Sequence, residues 1–149
     1  MGELRLTSPA FTDNSMIPAK FTCQGEDVNP QLDIGGAPGD VRSFVLIMDD
    51  PDAPMGTWDH WVVFNIPPET TTIQENSVPA GAVQGRNSWG NSEWGGPCPP
   101  SGVHRYVFKL YALDSRLELD HSATKADVEN AMKAHILSEA TLTGMYQKS

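Results

Sequence analysis

The sequence contains little positive charge, and this excludes several classes of partner. Its 149 residues carry 10 Lys plus Arg against 19 Asp plus Glu, which gives a formal net charge of −9 at pH 7. A surface with this balance has no positive field to attract a nucleic-acid backbone or an anionic bilayer. The charge therefore indicates that the protein does not bind nucleic acid as its main partner.

Long apolar runs are also missing. The mean hydropathy is −0.35, and no apolar stretch approaches the roughly 20 residues that a membrane helix needs. The first residues, Met-Gly-Glu-Leu-Arg-Leu, lack the regions of a secretory signal. We therefore expect a cytoplasmic protein with no integral membrane association, and a periplasmic or secreted mature form is the alternative. The chain length predicts a single domain over residues 1–149.

Cysteine is scarce, with only Cys23 and Cys98 present. Two cysteines are too few for a disulfide scaffold, and they match neither the Cys-x-x-Cys nor the Cys/His spacing of zinc sites. We expect two reduced thiols in the core. The alternative is a disulfide between them, which would stabilise the chain by roughly 3–5 kcal/mol if their Cα atoms lie within about 7 Å.

Proline and glycine, by contrast, are frequent and divide the chain into short extended segments. Apolar runs at residues 44–48, 61–66 and 106–113 predict three core strands, and the alternation at residues 4–7 predicts another. The stretch between the first two core runs is too short and proline-rich for a parallel crossover, so we expect them to be antiparallel. The sequence therefore predicts a mainly β fold.

One helix is predicted over residues 124–138. Thr124 and Asp127 form a capping pair at its start, and apolar residues follow at spacings of three and four. His135 lies on this apolar stripe, where we expect it to be half-buried and not a ligand. A further helical turn is predicted over residues 142–147.

Polar residues capable of binding a ligand lie at one end of each of the three core runs. Asp50 and Asp52 come directly after the first run on a stiff Pro-containing turn, His60 precedes the second, and His104 precedes the third with Tyr106. If these strands are neighbours, their ends meet at one edge of the sheet. The pattern predicts a pocket at that edge.

The residues of this pocket do not match a catalytic pattern. The sequence has no Gly-x-Ser-x-Gly turn, phosphate-binding loop or dinucleotide fingerprint. The His and Asp spacing matches no helix-borne metal device. Pro97 and Pro99 flank Cys98 and indicate a fixed loop wall around it, where a nucleophilic thiol is not expected. We therefore predict no enzymatic activity, no catalytic residue, no metal and no cofactor.

The same residues fit a small oxyanion. Imidazoles, a phenol and the backbone amides beside Gly95 and Gly96 are hydrogen-bond donors suited to phosphate, sulfate or carboxylate. We expect the Asp carboxylates to orient the imidazoles and to favour their protonated form. The predicted partner is therefore a small anion or a phosphorylated head group.

Several segments, taken in order, resemble the phosphatidylethanolamine-binding protein family, which includes the Raf kinase inhibitor protein. The likeness is closest to the bacterial and archaeal members. It implies a β fold of two antiparallel sheets with a few peripheral helices, including one near the C-terminus. The segments that carry it are residues 21–26, 29–30, 50–54, 60–61, 84–87, 95–100 and 102–106.

The resemblance also implies roles for individual residues. Arg105 resembles a structural partner of the acidic turn, in a buried Asp–Arg pair whose loss would cost about 3–5 kcal/mol. Tyr146 is a weak candidate for an aromatic residue at the pocket mouth, and Trp58 and Pro97 are the expected pocket walls. The positions matching the family's ligand-binding residues are Asp50, Asp52, His60, Gly96, His104 and Tyr106.

Three functions remain open at this stage. The first is a non-enzymatic module that binds a small anion or phosphate head group. The second is an inhibitor of a kinase or protease that acts through the surface of the long irregular segment 67–103. An unrecognised enzyme is the third. The sequence shows no interface signature, so a homodimer is also left open.

Overall fold

The computed structural model describes residues 3–148 and contains two β-sheets. The smaller sheet has the order β1-β3-β6 and the larger has the order β2-β9-β8-β4-β5-β7. The strands and the α-helix are β1 (Arg5–Thr7), β2 (Ser15–Met16), β3 (Leu32–Gly35), β4 (Ser43–Asp50), β5 (Trp58–Ile66), β6 (Thr72–Ile73), β7 (Val83–Gln84), β8 (His104–Leu113), α1 (Lys125–Met132) and β9 (Ile136–Tyr146).

The expected mainly β fold with two sheets and a helix late in the chain is confirmed. All strand pairs are antiparallel except β2 with the end of β9. Apart from α1, the only helical element within residues 3–148 is a 3-10 turn at Ala19–Phe21. No helix in this range is long and apolar enough to cross a membrane.

Strand β4 is the centre of the larger sheet, and all eight of its residues are buried. It pairs with β5 on one side and β8 on the other, as the antiparallel prediction required. Phe44, Leu46 and Met48 pack with residues of the smaller sheet, whereas Val45 and Ile47 pack with residues of α1. Because both faces are covered, the strand is continuously apolar and does not alternate.

The helix predicted over residues 124–138 is too long, because α1 ends at Met132 and β9 begins at Ile136. The helical turn predicted over residues 142–147 is also wrong, because these residues lie largely in β9. Residues 136–146 pair with β8 along its whole length, and this pairing overrides the local helical spacing. The predicted start is confirmed, since the Thr124 side chain and Asp127 form a capping box.

A group of charged side chains attaches α1 to the larger sheet. Asp49 lies opposite Asp59 in the β4–β5 pair and is almost completely buried. Lys125, at the start of α1, contacts Asp49 at 3.2 Å and Asp59 at 2.9 Å. Lys109 of β8 contacts Asp49 at 3.1 Å. Lys125 is therefore the cation shared by two neighbouring carboxylates that would otherwise repel each other.

Replacing this shared cation should destabilise the protein. We expect Lys125→Met to lower the free energy of unfolding by about 2–3 kcal/mol, because it leaves a buried carboxylate next to a second one. Lys109→Met is the matched control and should cost about 1 kcal/mol, since within residues 3–148 Lys109 pairs with Asp49 and not with Asp59. Urea unfolding at neutral pH measures both. Equal losses in the two variants would contradict the shared-cation role.

Candidate functional site

A cavity of about 250 Å³ lies at one edge of the larger sheet. Because β4 is antiparallel to both β5 and β8, its last residues meet the first residues of these two strands. The chain thus brings together the strand ends that carry the polar residues. The cavity is lined by Asp50, Ala53, Pro54, Met55, Trp58, His60, Trp89, Cys98, Pro99, Pro100, His104 and Tyr106.

His104 and Asp50 form a buried pair at the base of the cavity. The distance between His104 Nδ1 and Asp50 Oδ2 is 2.7 Å, and both side chains are less than a tenth exposed. A carboxylate accepts, so Nδ1 of His104 carries the hydrogen that it donates. The other carboxylate oxygen accepts from the backbone N–H of Asp52 at 2.8 Å. Nε2 of His104 is thereby left for a ligand.

His60 is oriented by the backbone. Its Nδ1 lies 2.7 Å from the carbonyl oxygen of Gly95, so Nδ1 is again the donor and Nε2 is left over. Burial lowers the pKa of His60, and this outweighs the opposing hydrogen bond to Gly95 and the negative charge of Asp50. The expectation that both imidazoles are held in the protonated form is therefore wrong for His60 at neutral pH.

Tyr106 supplies a third polar group. Its side chain is fully buried, and its hydroxyl makes no well-formed hydrogen bond within residues 3–148. Burial and then the negative charge of Asp50 raise the pKa of Tyr106, so the phenol keeps its proton. A buried donor without a good acceptor is costly. The Tyr106 hydroxyl is therefore suited to donate to a ligand or a water molecule.

The walls of the cavity are apolar. Trp58, the predicted wall residue, makes an edge contact with Trp89 at a centroid distance of 5.5 Å. Trp89 also meets the His60 ring edge-on at 5.0 Å. Pro97 does not line the cavity; Pro99 and its neighbours occupy that side. Trp89 is not among the predicted site residues, and the signal in the sequence was only a bulky aromatic residue within a Gly- and Asn-rich turn.

The family model described as "Phosphatidylethanolamine-binding protein" matches residues 7–147. The chain belongs to this family. A UPF0098 protein of Methanothermobacter thermautotrophicus is 50% identical to it over 150 residues, covering 97% of this chain and 99% of the relative.

Two solved structures of family members have the same architecture. A phosphatidylethanolamine-binding protein homologue of Chlamydia trachomatis is 39% identical, with a TM-score of 0.96 and coverage of 100% of both chains. YbcL of E. coli, described as a new member of the mammalian family, is 32% identical with a TM-score of 0.93. The match covers 99% of this chain and 100% of YbcL. The resemblance inferred from the sequence motifs is confirmed.

Asp52 and Arg105 form an ion pair beside the cavity and do not line it. Arg105 donates from Nε at 2.9 Å and from Nη2 at 2.8 Å, and its backbone N–H donates to Asp52 at 2.9 Å. The side chains are 58% exposed for Arg105 and 30% for Asp52. The expected buried pair is therefore a surface pair, and the 3–5 kcal/mol expected for its loss is too large.

Gly96, a further position that matches the family's ligand-binding residues, also lies outside the cavity lining, as do Gly95 and Tyr146. The backbone N–H of Gly96 donates to Asp27 Oδ1 at 2.9 Å, and the N–H of Gly95 donates to the His60 carbonyl at 3.0 Å. Both amides therefore already have acceptors within the protein, whereas the sequence predicted that they would donate to an anion. Tyr146 is buried and its hydroxyl donates to the Gln24 side chain, so it does not form the pocket mouth.

The cysteines differ from the expected reduced thiols. Cys23 and Cys98 form a disulfide with a Cα–Cα distance of 5.5 Å. The two loops are also joined by a hydrogen bond from the Cys23 N–H to the Pro97 carbonyl at 3.1 Å. This proximity depends on long-range packing, which the local sequence does not indicate. Within residues 3–148, no group of three His, Cys, Asp or Glu side chains is arranged to hold a metal ion.

The surface pair should be visible in the titration of its carboxylate. The side-chain hydrogen bond from Arg105, followed by its backbone hydrogen bond, lowers the pKa of Asp52 to about 2. A lowered pKa stabilises the fold above the unfolded value of 3.8, and the contribution disappears as pH falls toward 2. We expect Arg105→Met to move the Asp52 midpoint upward by NMR and to change the free energy of unfolding only slightly at neutral pH, because the pair is solvated. An unchanged midpoint would contradict the pairing.

Proposed function

We propose that this protein is a non-enzymatic module that binds a small oxyanion, above all the phosphate group of a larger ligand. The convergence of His60, His104 and Tyr106 on one cavity is the observation that carries the proposal. Each imidazole has its Nδ1 committed to a protein acceptor, so each Nε2 is left for the ligand. The phenol adds a proton donor that lacks a well-formed partner.

The size of the cavity favours a head group over a whole ligand. Its volume of about 250 Å³ is below the roughly 300–1,000 Å³ of pockets that enclose drug-sized molecules. The apolar walls of Trp58, Trp89 and Pro99 exclude water around the polar base, and this strengthens hydrogen bonds made there. A ligand would place its anionic group at the base and the rest of its structure at the mouth.

The charge of Asp50 makes anion binding depend on protons. This buried carboxylate lies against His104 and would repel an anion unless positive charge is gained nearby. Because burial lowers the pKa of His60, its Nε2 must take up a proton from solution when an anion binds near neutral pH. Binding and protonation are therefore linked in this proposal.

The absence of enzymatic activity is part of the proposal and rests on the groups around the cavity. Cys98 is held in the disulfide and has no thiolate to act as a nucleophile. Asp50 is committed to His104 and to the backbone N–H of Asp52. No general base is thus paired with an activated nucleophile among the lining residues of the described chain.

The second candidate, an inhibitor of a kinase or protease, is favoured by one observation. Large apolar side chains are exposed on the segment 67–103 that this candidate requires: Val103 is 50% exposed and Trp89 is 46% exposed. Exposed apolar groups that cluster on a surface are typical of protein contact sites. Substitution of Val103 by Ser would weaken such inhibition and leave anion binding intact, because Val103 does not line the cavity.

The cytoplasmic location stays a prediction. The Cys23–Cys98 disulfide favours the alternative of an oxidising compartment, because disulfides are rare in reducing cytosol outside some hyperthermophiles. Cell fractionation decides between the two locations.

Removal of both imidazoles tests the binding site. For the His60→Gln/His104→Gln variant we expect at least about 100-fold weaker binding of inorganic phosphate, equivalent to about 2.7 kcal/mol. Tyr106→Phe should weaken it about tenfold by removing one donor. Isothermal titration calorimetry at about pH 6 measures both. His135→Gln is the matched control, since His135 pairs with the exposed Asp114 outside the cavity lining; unchanged binding in the double variant would refute the proposal.

The pH dependence tests the proton linkage. Sulfate is the suitable probe because its charge stays constant over the range of interest. Above the lowered pKa of His60, sulfate affinity should rise about tenfold for each pH unit of acidification, since one proton is taken up on binding. The rise should level off below that pKa, and His60→Gln should flatten the profile. A flat profile in the unmodified protein would show that no proton is taken up.

A further inference from the structure

The segment of residues 95–98, which we call the wall segment, contacts two of the three polar groups of the site. The Gly95 carbonyl accepts from His60 Nδ1 at 2.7 Å, and the Gly95 N–H donates to the His60 carbonyl at 3.0 Å. The Cys98 side chain lines the cavity, and its backbone lies against the Tyr106 hydroxyl. The position of the wall segment therefore determines which nitrogen of His60 carries the hydrogen and what surrounds the phenol.

The other side of the wall segment is attached to the loop that contains Cys23. Hydrogen bonds from Gly96 N–H to Asp27 at 2.9 Å and from Cys23 N–H to Pro97 at 3.1 Å join them. The only covalent link is the Cys23–Cys98 disulfide. Asp27 and both cysteines are exposed, so one hydrogen bond ends on a solvated carboxylate and the disulfide is within reach of a reductant.

We propose that the Cys23–Cys98 disulfide is a redox control of the anion pocket: the oxidised protein holds the wall segment in the binding geometry, and reduction releases it and weakens anion binding. This inference rests on the proposed function, because it concerns the regulation of the same site. The disulfide lies outside all strands and α1, so its loss acts on loops. The β4–β5 and β4–β8 pairings include neither cysteine.

The chemical step is a thiol–disulfide exchange with a dithiol reductant. A thiolate of the reductant attacks one sulfur of the Cys23–Cys98 bond, which breaks and leaves a mixed disulfide with one protein cysteine. The second thiol of the reductant then displaces that cysteine. Two electrons and two protons pass to the protein, which ends with two thiols, and the reductant ends as a disulfide. Reoxidation by an excess of a small-molecule disulfide such as oxidised glutathione reverses the exchange: the two protein thiols form the Cys23–Cys98 bond again, and the reagent takes the two electrons and two protons.

The test compares three states of the complete chain at about pH 6: oxidised, reduced with dithiothreitol, and reoxidised. We expect the dissociation constant for sulfate to rise at least about tenfold on reduction and to return on reoxidation. In the ligand-free protein, the nitrogen NMR signals of His60 should move from the Nδ1–H tautomer toward a mixture of tautomers. This second readout does not require any anion to bind.

Two variants separate the bond from the reductant. Cys23→Ser keeps Cys98 in the cavity wall and removes only the link, so it should bind sulfate as weakly as the reduced protein does. The Cys23→Ser/Cys98→Ser variant should bind weakly with or without dithiothreitol. A response of this double variant to dithiothreitol would show that the reagent acts elsewhere, and this would overturn the proposal.

Each remaining outcome is decisive. Unchanged sulfate affinity and unchanged His60 signals after reduction overturn the control. Collapse of the dispersed amide signals of β4 and β8 overturns it too, because the disulfide would then support the whole fold. If the oxidised protein binds no sulfate, the proposed function fails by itself. The His60 signals then show whether reduction of the disulfide still changes the tautomer of the imidazole. If these signals do not change, the redox control is rejected independently of the proposed function.

Discussion

The burial of β4 on both faces and along both edges is the constraint on which the structure depends. A strand in this position can end only where polar residues find partners, and it ends with two successive carboxylates. Successive side chains point to opposite faces of a sheet. Asp49 accordingly meets Lys109 and Lys125, whereas Asp50 meets His104 in the cavity. The same strand end therefore fixes the helix on one face and the pocket on the other.

Much of this architecture could be predicted because its causes are local. The apolar runs located the core strands, and their short connection made the first pair antiparallel, so the meeting of Asp50, His60 and His104 followed from topology. The end of α1 could not be predicted, because residues 136–146 form a strand only through pairing with β8. The Cys23–Cys98 bond depends on two loops meeting in space, which no local pattern indicates.

Within the site, the types of residue were easier to predict than their protonation and their hydrogen-bond partners. The sequence identified the imidazoles and the phenol, but the protonation of His60 depends on the depth of burial. It also assigned the Gly96 amide to the ligand, although Asp27 already accepts from that amide. Trp89 reaches the cavity from a turn held by the Asn87 side chain, which accepts from the Trp89 and Asn91 amides. Its contribution was visible only in three dimensions.

The separation of 75 residues between the two cysteines has a topological consequence. The disulfide closes a covalent ring over residues 23–98 that contains β4 and β5. A protease that cuts any loop inside this ring produces two polypeptides that remain one molecule. Because β8 and β9 lie outside the ring and pair with it through β4, the nicked protein keeps its central strands together by two independent means, one covalent and one through the sheet.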